Sequence, residues 1–447
     1  MSLDLKRAVS QPITSIDTLV DVFRAAEKPR TEHRLGLEHE KFVFPQGAAR
    51  HVPYEGPAGI GALLEKMGAK SGGYTPFRET PESPVIALQR GIETVSLEPG
   101  GQLELSGSPF FTAREAHAEN LRHLAEAKAA AGELGLQLVA MGYRPFGTPA
   151  DVPWMPKTRY KVMRRTLPER GRLALNMMLM TSTGQASFDW ADEEDCVRKT
   201  VLVARLAPLM VALYANSPLV EGKPSEWMSF RNRVWDEVDP TRCGYLPAFF
   251  DGSFSYQAYV EWALDAPLLF LRRRGEYLHP KMNFRQLLKE GFEGQPADMG
   301  DWTDHLSTLF PEVRLKKVIE VRGADCGSAE MTGALGALWR GLLYDRTALE
   351  EGERLLPKLS LAEHLAFHDT ARRQGLAGKL GQHDLHRLAG EMVAIARRGL
   401  ERLDPQDAPL LEPLTRVAAS GRSPGQAILD AWHKDPRMET LLPRFTL

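Results

Sequence analysis

The sequence predicts an α+β protein built on an antiparallel sheet, with helices around the sheet and a helical C-terminal region. Three observations give that class. Strand-type segments occur at 36–44, 92–98, 102–106, 176–189 and 317–322. Two of them are joined by Pro99-Gly100-Gly101, a tight hairpin turn. Helical segments separate the rest, and no GxGxxG or GxxxxGK[ST] string marks a parallel nucleotide-binding sheet.

The helices follow in order. Residues 16–26 and 59–67 carry apolar residues at helical spacing. The run FTAREAHAENLRHLAEAKAAAG, 111–132, is rich in Ala, Leu, Glu and Lys and is expected to end at Gly132. A β-type run, LQLVAMGY, comes next at 136–143. Residues 192–215 form a further helix, opened by Asp192, closed by Asn216-Ser217-Pro218 and kinked at Pro208. Beyond about residue 350 the chain is helical and rich in Arg and Leu, as at 384–403. The expected division is a catalytic domain over 1–350 and a helical region, 351–447, packed on it.

The 447 residues are 43% hydrophobic and 26% charged, with a net charge of -2. That balance is ordinary for a globular protein and lacks the basic surplus of a nucleic-acid or membrane-surface binder. The first thirty residues lack the apolar core of a secretory leader, and no window approaches the length of a membrane span. A cytoplasmic protein without nucleic-acid or membrane partners, a monomer or weak homodimer, is the expectation. Cys196, Cys243 and Cys326 are far apart and odd in number, which argues against a zinc cluster or a disulfide framework.

The strands carry the chemistry. In GLEHEKFVF, alternation puts Glu38, Glu40, Phe42 and Phe44 on one face, and His39 on the other as a structural residue. Two carboxylates side by side are unfavourable unless a cation lies between them, and magnesium favours such hard oxygen donors. A solvated strand face is the plain alternative. In ETVSLEPGGQLELSGSP, Glu98 closes one strand, and Gln102 and Glu104 share a face of the next, above Val95, Leu97, Leu103 and Leu105. In 176–189, strand alternation puts Thr181, Thr183, Gln185, Ser187 and Asp189 opposite Met178, Met180, Ala186 and Phe188. In VRLKKVIEVRGAD, Glu320 and Arg322 share a face, with Arg314, Lys316 and Lys317 just before them. An acid for a metal beside an arginine for a phosphate suits phosphoryl transfer; a plain salt bridge is the alternative. No HExxH string is present.

Five strings, GLEHEKFVF, ETVSLEPGGQLELSGSP, MPKTRYKVMRRTLP, ANSPLVEGKPSEWMSFRNRVWDEVDPTRCGYLP and HLSTLFPEVRLKKVIEVRGAD, resemble the plant-type glutamate–cysteine ligases. They run in order from about residue 33 to about 345. The resemblance implies a curved antiparallel funnel related to the glutamine synthetase fold, and ATP with two or more magnesium ions. It implies Glu38, Glu40, Glu98, Glu104 and Glu320 as metal-binding acids, with Gln185 where distant relatives place a metal-binding histidine. Arg322 would face the phosphate and act with Glu320 in catalysis, helped by Arg314 and Lys316. Arg159 and Arg231 match basic positions suited to the glutamate carboxylate, with Trp235 and Thr183 as pocket walls. Cys243 matches a family cysteine, but no equivalent of the disulfide switch of some plant forms is expected.

The implied reaction joins glutamate to cysteine through γ-glutamyl phosphate. A ligase for another amine and a non-catalytic glutamate or nucleotide sensor are the competing readings. Glu38→Gln or Glu320→Gln is expected to lower turnover sharply without unfolding the protein.

Overall fold

A computed structural model describes residues 11–70 and 72–447. The first part of the segment read as lacking a leader, 1–10, lies outside the described residues. The fold centres on a nine-stranded sheet: β1 Leu35–Pro45, β2 Thr75–Phe77, β3 Ala87–Arg90, β4 Glu93–Leu97, β5 Leu103–Ser106, β6 Leu136–Val139, β7 Gly184–Phe188, β8 Val313–Leu315 and β9 Ile319–Val321. Its order is β8-β9-β7-β1-β5-β4-β3-β2, with β6 also on β1, and every pairing is antiparallel. The α+β class follows from the sequence as expected. Among the described residues, no helix is long and apolar enough to cross a membrane.

β1 organises the sheet. Its first half pairs with β7 and β5, and its second half turns to β6. Phe42 and Phe44 are fully buried in that second half, beside Val139 and Met141. Burying each such side chain is worth about 1.5–3 kcal/mol. The hairpin between β4 and β5 turns at Gly101, whose φ of +82° suits glycine. His39 points to the opposite face, where its ring meets Asn120 Oδ1 at 3.1 Å and the Gly327 carbonyl at 3.1 Å.

The helix expected at 111–132 spans Ala113–Glu133, opened by a capping box at Thr112. It passes through Gly132, and the left-handed residue that follows it is Gly135. Helix Glu193–Tyr214, capped by Asp192, contains Pro208. The later helices Ala329–Tyr344 and Leu385–Leu403 pack on each other and share a core with the sheet and Glu193–Tyr214.

One strand was misplaced. Residues Ala174–Met180 form a helix, and the strand begins at Gly184. The stretch ALNMMLM holds good helix formers and no β-branched residue, so alternation misread it. Met178 and Met180 therefore pack from a helix, and Thr181 and Thr183 lie in the connection that follows. Three strands of the sheet carried no expectation from the sequence: β2, β3 and β8, the last of which pairs Arg314 opposite Glu320.

Candidate active site

Strand register sets one polar row across the sheet. Glu38 lies opposite Gln185, and Glu40 lies opposite Glu104, which in turn lies opposite Ser96. Glu98 sits at the turn just past β4. Glu38, Glu40, Glu98, Glu104 and Gln185 line one pocket together with Arg159, Arg231, Arg314, Arg322, Trp235 and Thr183. The chain thus gathers most of the residues singled out in the sequence at one place.

The acidic wall is electrostatically costly. Glu40 and Glu104 are direct cross-strand neighbours, an unfavourable pairing for like charges. Burial, with Glu98 and Glu104 close by, holds the Glu40 carboxyl well above its ordinary range. Burial and the neighbouring Glu104 push Glu98 up to about 7. Glu40 Oε2 accepts a hydrogen bond from the Thr183 backbone N–H at 3.0 Å, and Glu104 Oε2 one from Ser96 Oγ at 2.8 Å. Glu98 Oε1 is buried without a hydrogen-bond partner among the described residues. The buried Glu98 Oε1, beside the neighbouring Glu40 and Glu104 carboxylates, fits a hard divalent cation. Among the described residues no three of them are already gathered as a finished cation cage, so the pocket supplies donors rather than a closed site.

The basic wall faces them. Arg159 enters from helix Thr158–Thr166, and its Nε is buried without a partner among the described residues. Arg231, from helix Phe230–Val234, donates through Nη2 to the Arg322 carbonyl at 2.9 Å; its Nη1 has no hydrogen-bond acceptor among the described residues and lies 3.8 Å from Asp325 Oδ1. Arg322 Nη1 donates to Gln185 Oε1 at 2.9 Å, and its guanidinium lies 6.0 Å from the centre of the Trp235 ring. With Gln185 oxygen already accepting from Arg322, its part in the row is to hold that arginine.

Glu320 departs from its expected place. It does not line the pocket with the other acids. Arg314 Nε lies 2.5 Å from its Oε2, Lys316 Nζ 2.7 Å from its Oε1 and Arg322 Nη1 3.5 Å from its Oε2. Its carboxyl is held far below the ordinary range: burial opposes ionisation, but Arg314, Lys316 and Arg322 prevail. Glu320 therefore orders cations, and three cations leave it a poor metal donor. Lys316 is likewise committed to Glu320 and is not in the pocket wall.

This corrects the expectation for Glu320→Gln. The amide would leave buried cations without their counter-charge, an imbalance that costs about 3–5 kcal/mol. A pKa depressed in the folded state contributes stability above the ordinary carboxylate range that is lost as pH falls. The variant's urea midpoint should thus fall clearly at pH 7 and converge on the unaltered protein's in acid. An unchanged midpoint at pH 7 would contradict the ion-pair role.

Asp189 also lies elsewhere, bonded to Lys28 Nζ at 2.6 Å and the Arg34 N–H at 2.8 Å. Three positioning residues escaped the sequence reading. Asp325 accepts from the Asn216 N–H at 2.8 Å, Ser217 Oγ at 2.6 Å and Ser229 Oγ at 2.9 Å, fixing the loops that carry Arg231. Lys157 Nζ and Tyr160 Oη both donate to the Leu97 carbonyl, at 2.6 and 2.8 Å, and so hold the end of β4 at Glu98. All three sit within the recognised strings, VRGAD and MPKTRY, which was the available signal.

Residues 34–442 match the model of the glutamate–cysteine ligase family 2. The chain is 36% identical over 443 residues to the chloroplastic glutamate–cysteine ligase of Nicotiana tabacum, covering 97% of this chain and 84% of that one. The Arabidopsis thaliana chloroplastic enzyme matches equally, 36% over 443 residues, with 97% and 84% coverage. The crystal structure of the Francisella tularensis glutamate–cysteine ligase in complex with AMP shares the fold at a TM-score of 0.54 and 14% identity, over 92% of this chain and 88% of that one.

Proposed function

Because the chain belongs to glutamate–cysteine ligase family 2, we infer that the pocket between the opposed carboxylates and the arginines is where its ligation takes place. The protein joins L-glutamate to L-cysteine at the expense of ATP, giving γ-glutamylcysteine, the first product on the route to glutathione. The single observation that carries the site is the placement of the four acids Glu38, Glu40, Glu98 and Glu104 with Arg159, Arg231 and Arg322 around one pocket.

In this reading Glu38, Glu40, Glu98 and Glu104 hold magnesium, which when bound supplies positive charge to the transferring phosphoryl group. Arg159 and Arg231 hold the carboxylate of glutamate, which suits the buried Arg159 Nε and Arg231 Nη1, neither of which has a hydrogen-bond partner among the described residues. Arg322, fixed by Gln185 and Glu320, faces the transferring phosphoryl group and neutralises its charge. The γ-carboxylate then becomes an acyl phosphate, whose phosphate leaves when the amine forms the amide bond. Trp235 and Thr183 wall the pocket.

The test is ADP release by the purified protein with ATP, magnesium and glutamate, with and without cysteine and a panel of other amines. Cysteine-dependent ADP with γ-glutamylcysteine by mass spectrometry is expected. Turnover with another amine alone would replace the acceptor, and none with any amine would indicate a sensor.

A further inference from the structure

A second cavity, of about 390 Å³, adjoins the pocket and shares Arg231, Trp235, Phe310 and Arg322 with it. Its far side is largely apolar, with Pro311, Leu361 and Leu365. Of the two acids that line it, Asp236 is exposed and Glu312, just before β8, is half-buried. Glu312 Oε1 is buried and has no hydrogen-bond partner among the described residues. The chain makes room for it: a Cβ on Gly323, the residue after Arg322, would overlap Glu312 Oε1. An unpartnered buried carboxylate oxygen lacks a structural purpose, and its desolvation is costly.

We propose that this cavity receives the acceptor amino acid and that Glu312 is the general base that takes a proton from its ammonium group. The inference rests on the ligase reading above. An amine arrives protonated at neutral pH and has no lone pair to attack with. The Glu312 carboxylate takes one proton. The nitrogen lone pair then forms the bond to the γ-carbonyl carbon of the acyl phosphate. The carbon–oxygen bond to phosphate breaks, and phosphate leaves with that electron pair. The second nitrogen proton ends on the departing phosphate, and Glu312 returns its own to solvent.

The surroundings suit that task. Burial holds the Glu312 carboxyl above the ordinary carboxylate range, although Arg231, Arg322 and Arg372 favour its ionised form and Asp236 opposes it. A raised carboxyl is a better base near neutral pH. Tyr245 Oη and His368 Nδ1, also in the cavity wall, are bonded to each other at 2.5 Å. Cys243 lies in the same wall, with its thiol pushed up to about 12 by burial, and is inert as a base at neutral pH.

The test compares cysteine with hydroxylamine, a weaker base that is already neutral near pH 7 and needs no proton removed before attack. In Glu312→Gln, turnover with cysteine should fall about 100-fold or more, the usual contribution of a general base, and γ-glutamyl hydroxamate formation should persist within a few-fold. Glu312→Asp should recover part of the cysteine rate. The acid limb of the pH profile with cysteine, above the ordinary carboxylate range in the unaltered protein, should disappear in Glu312→Gln. Equal losses with both acceptors, or no loss with cysteine, would overturn the role of Glu312. If the unaltered protein forms neither product, the ligase reading fails and this inference with it.

Discussion

Replacing Arg322 by methionine should abolish ADP formation with every acceptor, hydroxylamine included. The arginine lies where both cavities meet, and its Nη1 is fixed by Gln185 Oε1 at 2.9 Å. Burial lowers its pKa to about 10, which leaves it charged at neutral pH. An arginine on a transferring phosphoryl group contributes about 10³–10⁵ to turnover, and methionine fills similar space without charge. Glu320 would keep Arg314 and Lys316 as partners, so the fold should survive. Lysine should restore little, because a point charge does not reproduce the planar fork. The measurement is single-turnover ADP release with circular dichroism as the control for folding. A rate within tenfold of the unaltered protein would remove Arg322 from the phosphoryl site.

Glu40→Gln should separate activity from stability in the opposite way to Glu320→Gln. Glu40 is buried opposite Glu104, and its charge opposes folding when no cation is present. The amide keeps the shape and removes one negative charge. Metal-free stability at pH 7 should hold or rise, while turnover falls about 100-fold or more, because a metal's charge stabilises the transition state by several kcal/mol. Glu98 supplies the pH signature. Its carboxyl is raised from 4.5 to about 7, so the folded state favours the protonated form. The stability this gives is fully present below 4.5 and lost as pH rises through about 7. Magnesium needs the ionised acids, so it should raise the melting temperature more at pH 8 than at pH 6. Equal shifts at both pH values, or a Glu40→Gln variant with normal turnover, would contradict the metal role of these acids.

Much of the site was readable because strands alternate. Glu38 and Glu40 on one face and His39 on the other follow from period two alone, and the hairpin at Gly101 fixes where Glu98 and Glu104 meet. The misread stretch shows the limit of that logic. Met178 and Met180 satisfied an alternation that the helix Ala174–Met180 does not use, since a short apolar run has no period of its own. Glu320 shows a different limit. Its face was correctly read, but its partners were set by β8, a strand of three residues that no pattern announced. Glu312 was silent for the same reason: a lone acid beside a proline carries no periodic signal, and its isolation appears only when Gly323 is packed against it.

The central claim is that the acids and Arg322 convert the γ-carboxylate of glutamate into an acyl phosphate. Glutamate labelled with ¹⁸O in its γ-carboxylate tests this most directly, with the released phosphate analysed by mass spectrometry. One labelled oxygen in each phosphate, in step with γ-glutamylcysteine, is the expected result; unlabelled phosphate accompanying the same product would contradict it.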